Sequence, residues 1–195
     1  MSEYLYYEFC KLDKPISKEC RDEMKALSKR AKLNTHGVQY TYNYGDFSGN
    51  KVELLAKYFD VFFHITNFGD LVLMFRYDPV EINFEVIKPH LLRYVVDYKQ
   101  INGQIIITLT VNNQNGGFDG WLEGEDLLAE LLPLYDELKN GNDQILQIFH
   151  TIHLIYNEDN PTLINGMIDC IKKPLSPAQR ALLSTIDLDL FNCLT

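Results

Sequence analysis

The chain has 195 residues, of which 46% are hydrophobic and 23% charged, with a net charge of −9 at pH 7. That composition fits one large globular domain or two small ones sharing a core, and it excludes a disordered chain. No apolar run reaches the roughly 18 residues of a membrane span. The opening MSEYLYYEF lacks the basic-then-apolar order of a secretory signal, so a cytoplasmic location is expected.

The charge is unevenly placed. Residues 1–115 carry 14 Lys/Arg and 14 Asp/Glu, whereas residues 116–195 carry 4 against 13. The whole net charge therefore belongs to the later part, which repels nucleic acid and membrane surfaces and favours basic partners or plain solubility. The cysteines, Cys10, Cys20, Cys170 and Cys193, show no CxxC spacing. They are expected to be free thiols, with no cysteine-built zinc site.

In chain order, 4-YLYYEF-9 predicts a first strand. A helix follows, with Ser17 as N-cap and an apolar face of Cys20, Met24, Leu27 and Ala31. Lys18, Arg21, Lys25, Lys29 and Lys32 form a basic stripe opposite, either a solvated face or a docking surface for an acidic partner. That partner would be the acidic part of this chain or of a second copy. Residues 38-VQYTYNY-44 alternate, placing Val38, Tyr40, Tyr42 and Tyr44 on one face of a strand.

GDFSGN then leads into a helix at KVELLAKYF, with Asn50 as N-cap and Glu53 at capping-box spacing. The runs VFFHIT (61–66) and LVLMFRY (71–77), joined by NFGD, predict a hairpin whose near-continuous apolar strands are covered on both faces. A short helix ended by Pro89 is expected within 78–91. YVVDYKQ (94–100) and QIIITLTV (104–111) flank Asn102-Gly103, a strong two-residue hairpin signal. Beyond NNQNGG (112–117), helices are expected at roughly 123–139, 142–157, 161–172 and 177–194. The last opens with a Ser176-Pro177-x-Gln179 cap.

The fold class expected is therefore α+β: an antiparallel sheet with flanking helices over 1–115, then an acidic helical half, 116–195, packed on it. Whether these are two domains or one is left open.

The phrases 4-YLYYEF-9, 27-LSKRA-31, 42-YNYGDFSG-49, 58-YFDVFFHITNFG-69 and 73-LMFR-76, with the ending 175-LSPAQRALLSTIDLDLF-191, resemble an uncharacterised family of bacterial proteins. Tyr44 and Phe68 stand where that family tends to carry Trp. The family has no established activity, so the resemblance implies an architecture and no chemistry.

Several residues are candidates for chemistry. Gly45 and Gly49 around Asp46 suggest either backbone N–H groups offered to an anion or a turn needing positive φ and close packing. As a ligand loop, Asp46 would accept, Tyr42 and Tyr44 would stack, and His64 is the candidate base. Arg76, in an apolar strand, needs a carboxylate such as Asp46, Asp60 or Asp70, or else binds an anion. His150 and His153 lie three apart on a helix, a spacing that can set two imidazoles on one metal; the expectation is no metal and no cofactor.

Asp119, Glu123, Glu125, Asp126 and Glu130 around Trp121 read as an acid-rich helix start or as paired carboxylates. Trp121 would close a core or anchor a partner. The function expected is a non-catalytic protein-interaction or self-associating module, partnered by another protein or by its own copy. The alternative is a small-molecule-binding enzyme with a site near residues 42–50.

Overall fold

A computed structural model describes residues 3–113, 124–157 and 174–186. Among these residues, seven strands form one sheet: β1 (Leu5–Cys10), β2 (Lys32–Leu33), β3 (Gly37–Tyr42), β4 (Val61–Thr66), β5 (Asp70–Tyr77), β6 (Val96–Ile101) and β7 (Gln104–Asn112). Their order is β2-β3-β1-β4-β5-β7-β6, and every neighbouring pair is antiparallel. The hairpin between β6 and β7 turns on Asn102 (φ 51°) and Gly103 (φ 77°), the two positive φ angles a two-residue turn of this hand requires.

Helices cover both sides. On one, α1 (Lys18–Leu27) and α2 (Lys51–Tyr58) bury Cys20, Met24, Leu54 and Leu55 against Tyr7, Phe9, Val38 and Tyr40. On the other lie α4 (Leu127–Leu131), α5 (Pro133–Lys139), α6 (Gln144–Asn157) and α7 (Pro177–Thr185). Their Leu128, Leu134, Leu146, Phe149 and Leu182 share a core with Phe63, Leu73, Phe75 and Leu109. The short α3 (Phe84–Ile87) and the 3₁₀ turn Lys88–His90 lead into β6. All six residues of β4 are buried, as a strand with helices on both faces must be.

Local signals act where the sequence places them. Ser17 and Asn50 accept from the N–H groups of Cys20 and Glu53, and Ser176 forms a reciprocal capping box with Gln179. Cys10 and Cys20 are free thiols, each pushed up to about 11 by burial, while Cys170 and Cys193 lie outside the described residues.

Other expectations are corrected. The helix expected over 123–139 is two: Pro133 has no N–H for the preceding turn and starts a new helix, α5, as its first residue. α1 ends at Leu27, so Ala31 lies beyond its apolar face. β3 ends at Tyr42, where its partner β1 begins at Leu5, and Tyr44 is outside the strand and 76% exposed. Pro89 sits within the 3₁₀ turn that continues α3. The edge pairing of Lys32–Leu33 with β3 has no counterpart in the sequence pattern. The helix expected at 161–172 lies outside the described residues.

Phe149 is fully buried in the core that α6 shares with the sheet. Phe149→Ala is expected to cost about 3–5 kcal/mol, measured as a fall in the midpoint of urea unfolding. A loss below about 1 kcal/mol would show that α6 does not pack on the sheet as described.

Candidate functional site

The turn between β3 and α2 is fixed by one buried ring. Phe47 enters the aromatic core, with ring centroids 4.7 Å from Tyr40, 5.6 Å from Tyr7 and 5.8 Å from Phe9. The two glycines divide the backbone task. Gly45 has φ 79°, a left-handed angle that L side chains adopt at a cost. Gly49 is needed for space, since a Cβ there would lie 2.6 Å from the Phe47 ring.

Asp46 lies on the exposed turn, and one of its carboxylate oxygens turns back onto the sheet. The Tyr7 hydroxyl donates a short hydrogen bond to Asp46 Oδ1, and the Phe47 N–H donates to the same oxygen at 2.6 Å. Partial burial alone would raise the Asp46 pKa. The two hydrogen bonds, with Lys51 and His64 nearby, outweigh it and hold the carboxyl below its usual range. The burial of the Tyr7 phenol, reinforced by Asp46, pushes its pKa well up.

His64 is the cross-strand partner of Tyr7, and the two rings stack at 4.2 Å with a 10° interplanar angle. His64 Nδ1 lies 2.9 Å from the Tyr6 carbonyl oxygen, an acceptor, so Nδ1 carries the hydrogen and Nε2 is the bare nitrogen of a neutral ring. Burial, with a contribution from Lys51, lowers its pKa to about 4. Lys51 Nζ sits 4.9 Å from the centre of the Tyr7 ring.

The cluster is therefore Tyr7, Asp46, Lys51 and His64, with Tyr42 edge-on to Tyr7 at 5.9 Å. Tyr42 also donates to Ser28 Oγ at 3.0 Å and carries Arg30 over its ring. Sequence reasoning found Asp46, His64 and Tyr42 but missed Tyr7 and Lys51. The signal for Tyr7 was its alternation with Tyr6 in β1, which sends the two rings into opposite cores.

Arg76 does not join them. The hairpin register pairs Val61 with Phe75 and thereby sets Asp60 beside Arg76. Val72, opposite His64, is four residues back along β5, roughly 13 Å at the usual strand rise. Arg76 Nη2 makes a short ion pair with Asp60 Oδ1, its Nε donates to the Phe59 carbonyl at 2.5 Å, and its Nη1 donates to Gln104 Oε1 at 2.9 Å. Leu12 N–H donates to the other Asp60 oxygen at 2.9 Å. Of Asp46, Asp60 and Asp70, Asp60 is the partner, and the guanidinium is engaged by internal acceptors. A cleft of about 670 Å³ opens beside this pair, where Asp13, Asp78, Glu81 and Asp136 outnumber Arg76 and Lys139.

His150 is not brought to a metal-ligand set. Its Nε2 donates to the His90 carbonyl oxygen at 2.7 Å, and His90 Nε2 in turn meets Asp143 Oδ2 at 2.9 Å. Burial, with His90 and His153 nearby, lowers the His150 pKa. Among the described residues, no group of three or more His, Cys, Asp or Glu is arranged to hold a metal ion.

The basic stripe is partly consumed. Lys32 pairs with Glu125 at 2.6 Å, and Arg21 donates to the Asn34 carbonyl at 2.8 Å. Lys18, Lys25 and Lys29 remain on the surface. Glu125 and Asp126 precede α4 and Glu130 lies within it, while Asp119, Glu123 and Trp121 are outside the described residues.

His64 makes stability pH-dependent with a definite sign. The folded imidazole has a pKa of about 4 against an ordinary value of 6.5. The unfolded chain thus binds more protons between those values, and this stabilisation, complete above pH 6.5, is lost as the pH falls toward 4. His64→Phe keeps a ring against Tyr7. In urea unfolding, the wild type should lose about 2 kcal/mol more than this variant between pH 7 and pH 5. Parallel losses in the two proteins would refute a neutral buried His64. No protein-family profile matches this chain, and neither a curated protein nor a solved structure does.

Proposed function

We propose that this chain is a non-catalytic protein-interaction module, acting by association with another protein or with its own copy. The observation that carries the proposal is the outer edge of the sheet at β6. Among the described residues, the large hydrophobics exposed to solvent are Tyr44, Phe68, Val80, Leu92, Tyr94 and Tyr98, and the last three fall within seven residues at this edge. Singly exposed apolar residues need no explanation, whereas a cluster at an open strand edge is a recognition surface in search of a partner.

The backbone supports the same view. Tyr94 has φ 68°, a conformation that costs a bulky residue on the order of 1–3 kcal/mol. It is held there by a tight loop in which Val95 and Val96 N–H both donate to the Leu92 carbonyl at 2.9 Å. The result is a Tyr side chain 71% exposed, with Arg93 Cζ 4.5 Å from its ring centre. Strain that holds an aromatic ring in water is repaid when the ring is buried against a partner. The rival small-molecule site at 42–50 is weakened by the same geometry that satisfies Asp46 and Arg76 internally and apart from each other.

A photo-crosslinking amino acid tests the proposal. Benzoylphenylalanine at position 98 should give an adduct of discrete mass, in purified protein or in extract of the source cells. The same probe at Val80, 91% exposed, should give none. Absence of any adduct from position 98 under both conditions would overturn the interaction proposal.

A further inference from the structure

We infer that the recess where β3 ends beside the turn after α1 binds a nucleoside phosphate, with Lys29 and Arg30 holding the phosphate and Tyr44 stacking on the base. This site lies apart from the β6 edge and goes beyond the interaction proposal, which it neither needs nor supports. The recess has a volume of about 580 Å³, and its walls include Lys29, Arg30, Lys32, Thr41, Asn43 and Tyr44. That volume lies within the range of small-molecule sites. The course of the chain creates it. α1 stops at Leu27, and the turn through Lys29 and Arg30 leads into β2, whose Lys32 and Leu33 pair with Gln39 and Val38. The ladder ends at Lys32, so the turn and the last residues of β3 part and leave the gap between them.

The recess reverses the sign of the chain's charge. Three cations fall within four residues, and Lys32 is answered by Glu125 at 2.6 Å. Lys29 and Arg30 form no ion pair among the described residues. In a chain of net charge −9, two unanswered cations in one recess attract a small anion, while the protein as a whole repels an extended polyanion. The nearest acid along the chain, Asp46, is not one of the walls, and its carboxylate is engaged by the Tyr7 hydroxyl and the Phe47 N–H.

Arg30 is already oriented. Its Cζ lies 4.7 Å from the centre of the Tyr42 ring, and its Nη1 donates to the Thr41 carbonyl at 3.4 Å. Tyr42 is itself buried and donates to Ser28 Oγ at 3.0 Å. A ring face and one long hydrogen bond thus hold the guanidinium, while its Nε and Nη2 stay available among the described residues to two oxygens of a phosphate. Such preorganisation reduces the ordering cost of binding. Tyr44 supplies the second half of the site. It lies past the end of β3, is 76% exposed and has no stacking partner among the described residues. A bare ring beside two cations takes a base by stacking and its phosphate by charge. Thr41 and Asn43, two residues apart at the strand end, offer a hydroxyl and an amide to the sugar between them.

Calorimetric titration of the purified protein with ADP at low salt tests this assignment. ADP should bind with a Kd of about 0.1–1 mM, and adenosine and inorganic phosphate should each bind about tenfold more weakly. Lys29→Ala, Arg30→Ala and Tyr44→Ala should each weaken ADP about tenfold. Tyr44→Phe keeps the ring and should bind as the wild type does, as should Lys18→Ala at the far end of α1. These side chains are exposed, so thermal melts should match across the variants. No heat from ADP at about 5 mM overturns the assignment, as does inorganic phosphate binding as tightly as ADP. Unchanged affinity in Tyr44→Ala, or in both cation variants, overturns it too. A single-stranded oligonucleotide that binds more tightly than ADP would overturn it in favour of a nucleic-acid surface.

Discussion

With helices packed on both sides, β4 has no face left for water and β1 almost none, so each polar group along them must find a partner inside the protein. His64 shows the consequence. It sits in a strand whose six residues are all buried, and it is tolerable there as a neutral ring that donates to a main-chain carbonyl and stacks on Tyr7. Glu8, on β1, answers the same constraint by accepting from the Tyr6 hydroxyl at 2.9 Å and from Gln39 Nε2 at 3.1 Å. Burial raises its pKa, with those two hydrogen bonds opposing the shift. A histidine and a carboxylate in the middle of a strand look catalytic in a sequence. In a doubly covered sheet they are first of all groups that had to be satisfied.

The same constraint sends the charged candidates to the ends of the strands. Asp60 and Arg76 meet where β4 begins and β5 nears its close, and Asp46 hangs from the turn that follows β3. Asp46 also resolves why an acid stands between Gly45 and Phe47. Its Oδ1 gathers the Tyr7 hydroxyl and the Phe47 N–H, so the turn is pinned to the sheet by a hydrogen bond from Tyr7 and by the Phe47 ring packed against the same tyrosine. An anion approaching this loop would meet a carboxylate that is already ionised and engaged.

What could be read from the sequence was whatever a few neighbouring residues decide. Asn102-Gly103 specifies its turn by φ alone, and Ser17, Asn50 and Ser176 specify helix starts through one side-chain oxygen each. The near-continuous apolar runs of β4 and β5 announced their double burial. What escaped depends on partners distant in the chain. The alternation through Tyr44 continued past the point where β1 ends, and a strand stops where its neighbour stops. Tyr7 and Asp46 are 39 residues apart, and nothing local joins them. Pro133 is a different kind of miss, since its helix-splitting effect is local and was visible in the sequence. The Asp60–Arg76 pair lies between these cases: the hairpin register supplies it once the turn is placed, but the sequence offered three acids with equal claim.

Burying both faces also leaves, among the described residues, the two edges as the sheet's unsaturated surfaces, and they are treated differently. At one edge β2 is two residues long, and Lys32 of that strand is held by Glu125 from the segment before α4. A strand so short offers little to a second sheet, which is one of the ways proteins blunt an edge. At the other edge β6 runs six residues, with Asp97, Tyr98, Lys99 and Gln100 all exposed. Lysine on an edge strand usually discourages pairing, because two copies in arbitrary register bring like charges together. The Asp97 carboxylate also accepts from the Tyr98 N–H, so this donor is satisfied within the single chain, and a bridge to Leu92 takes up the backbone groups of Val96. An edge protected in that way resists indiscriminate pairing with other strands.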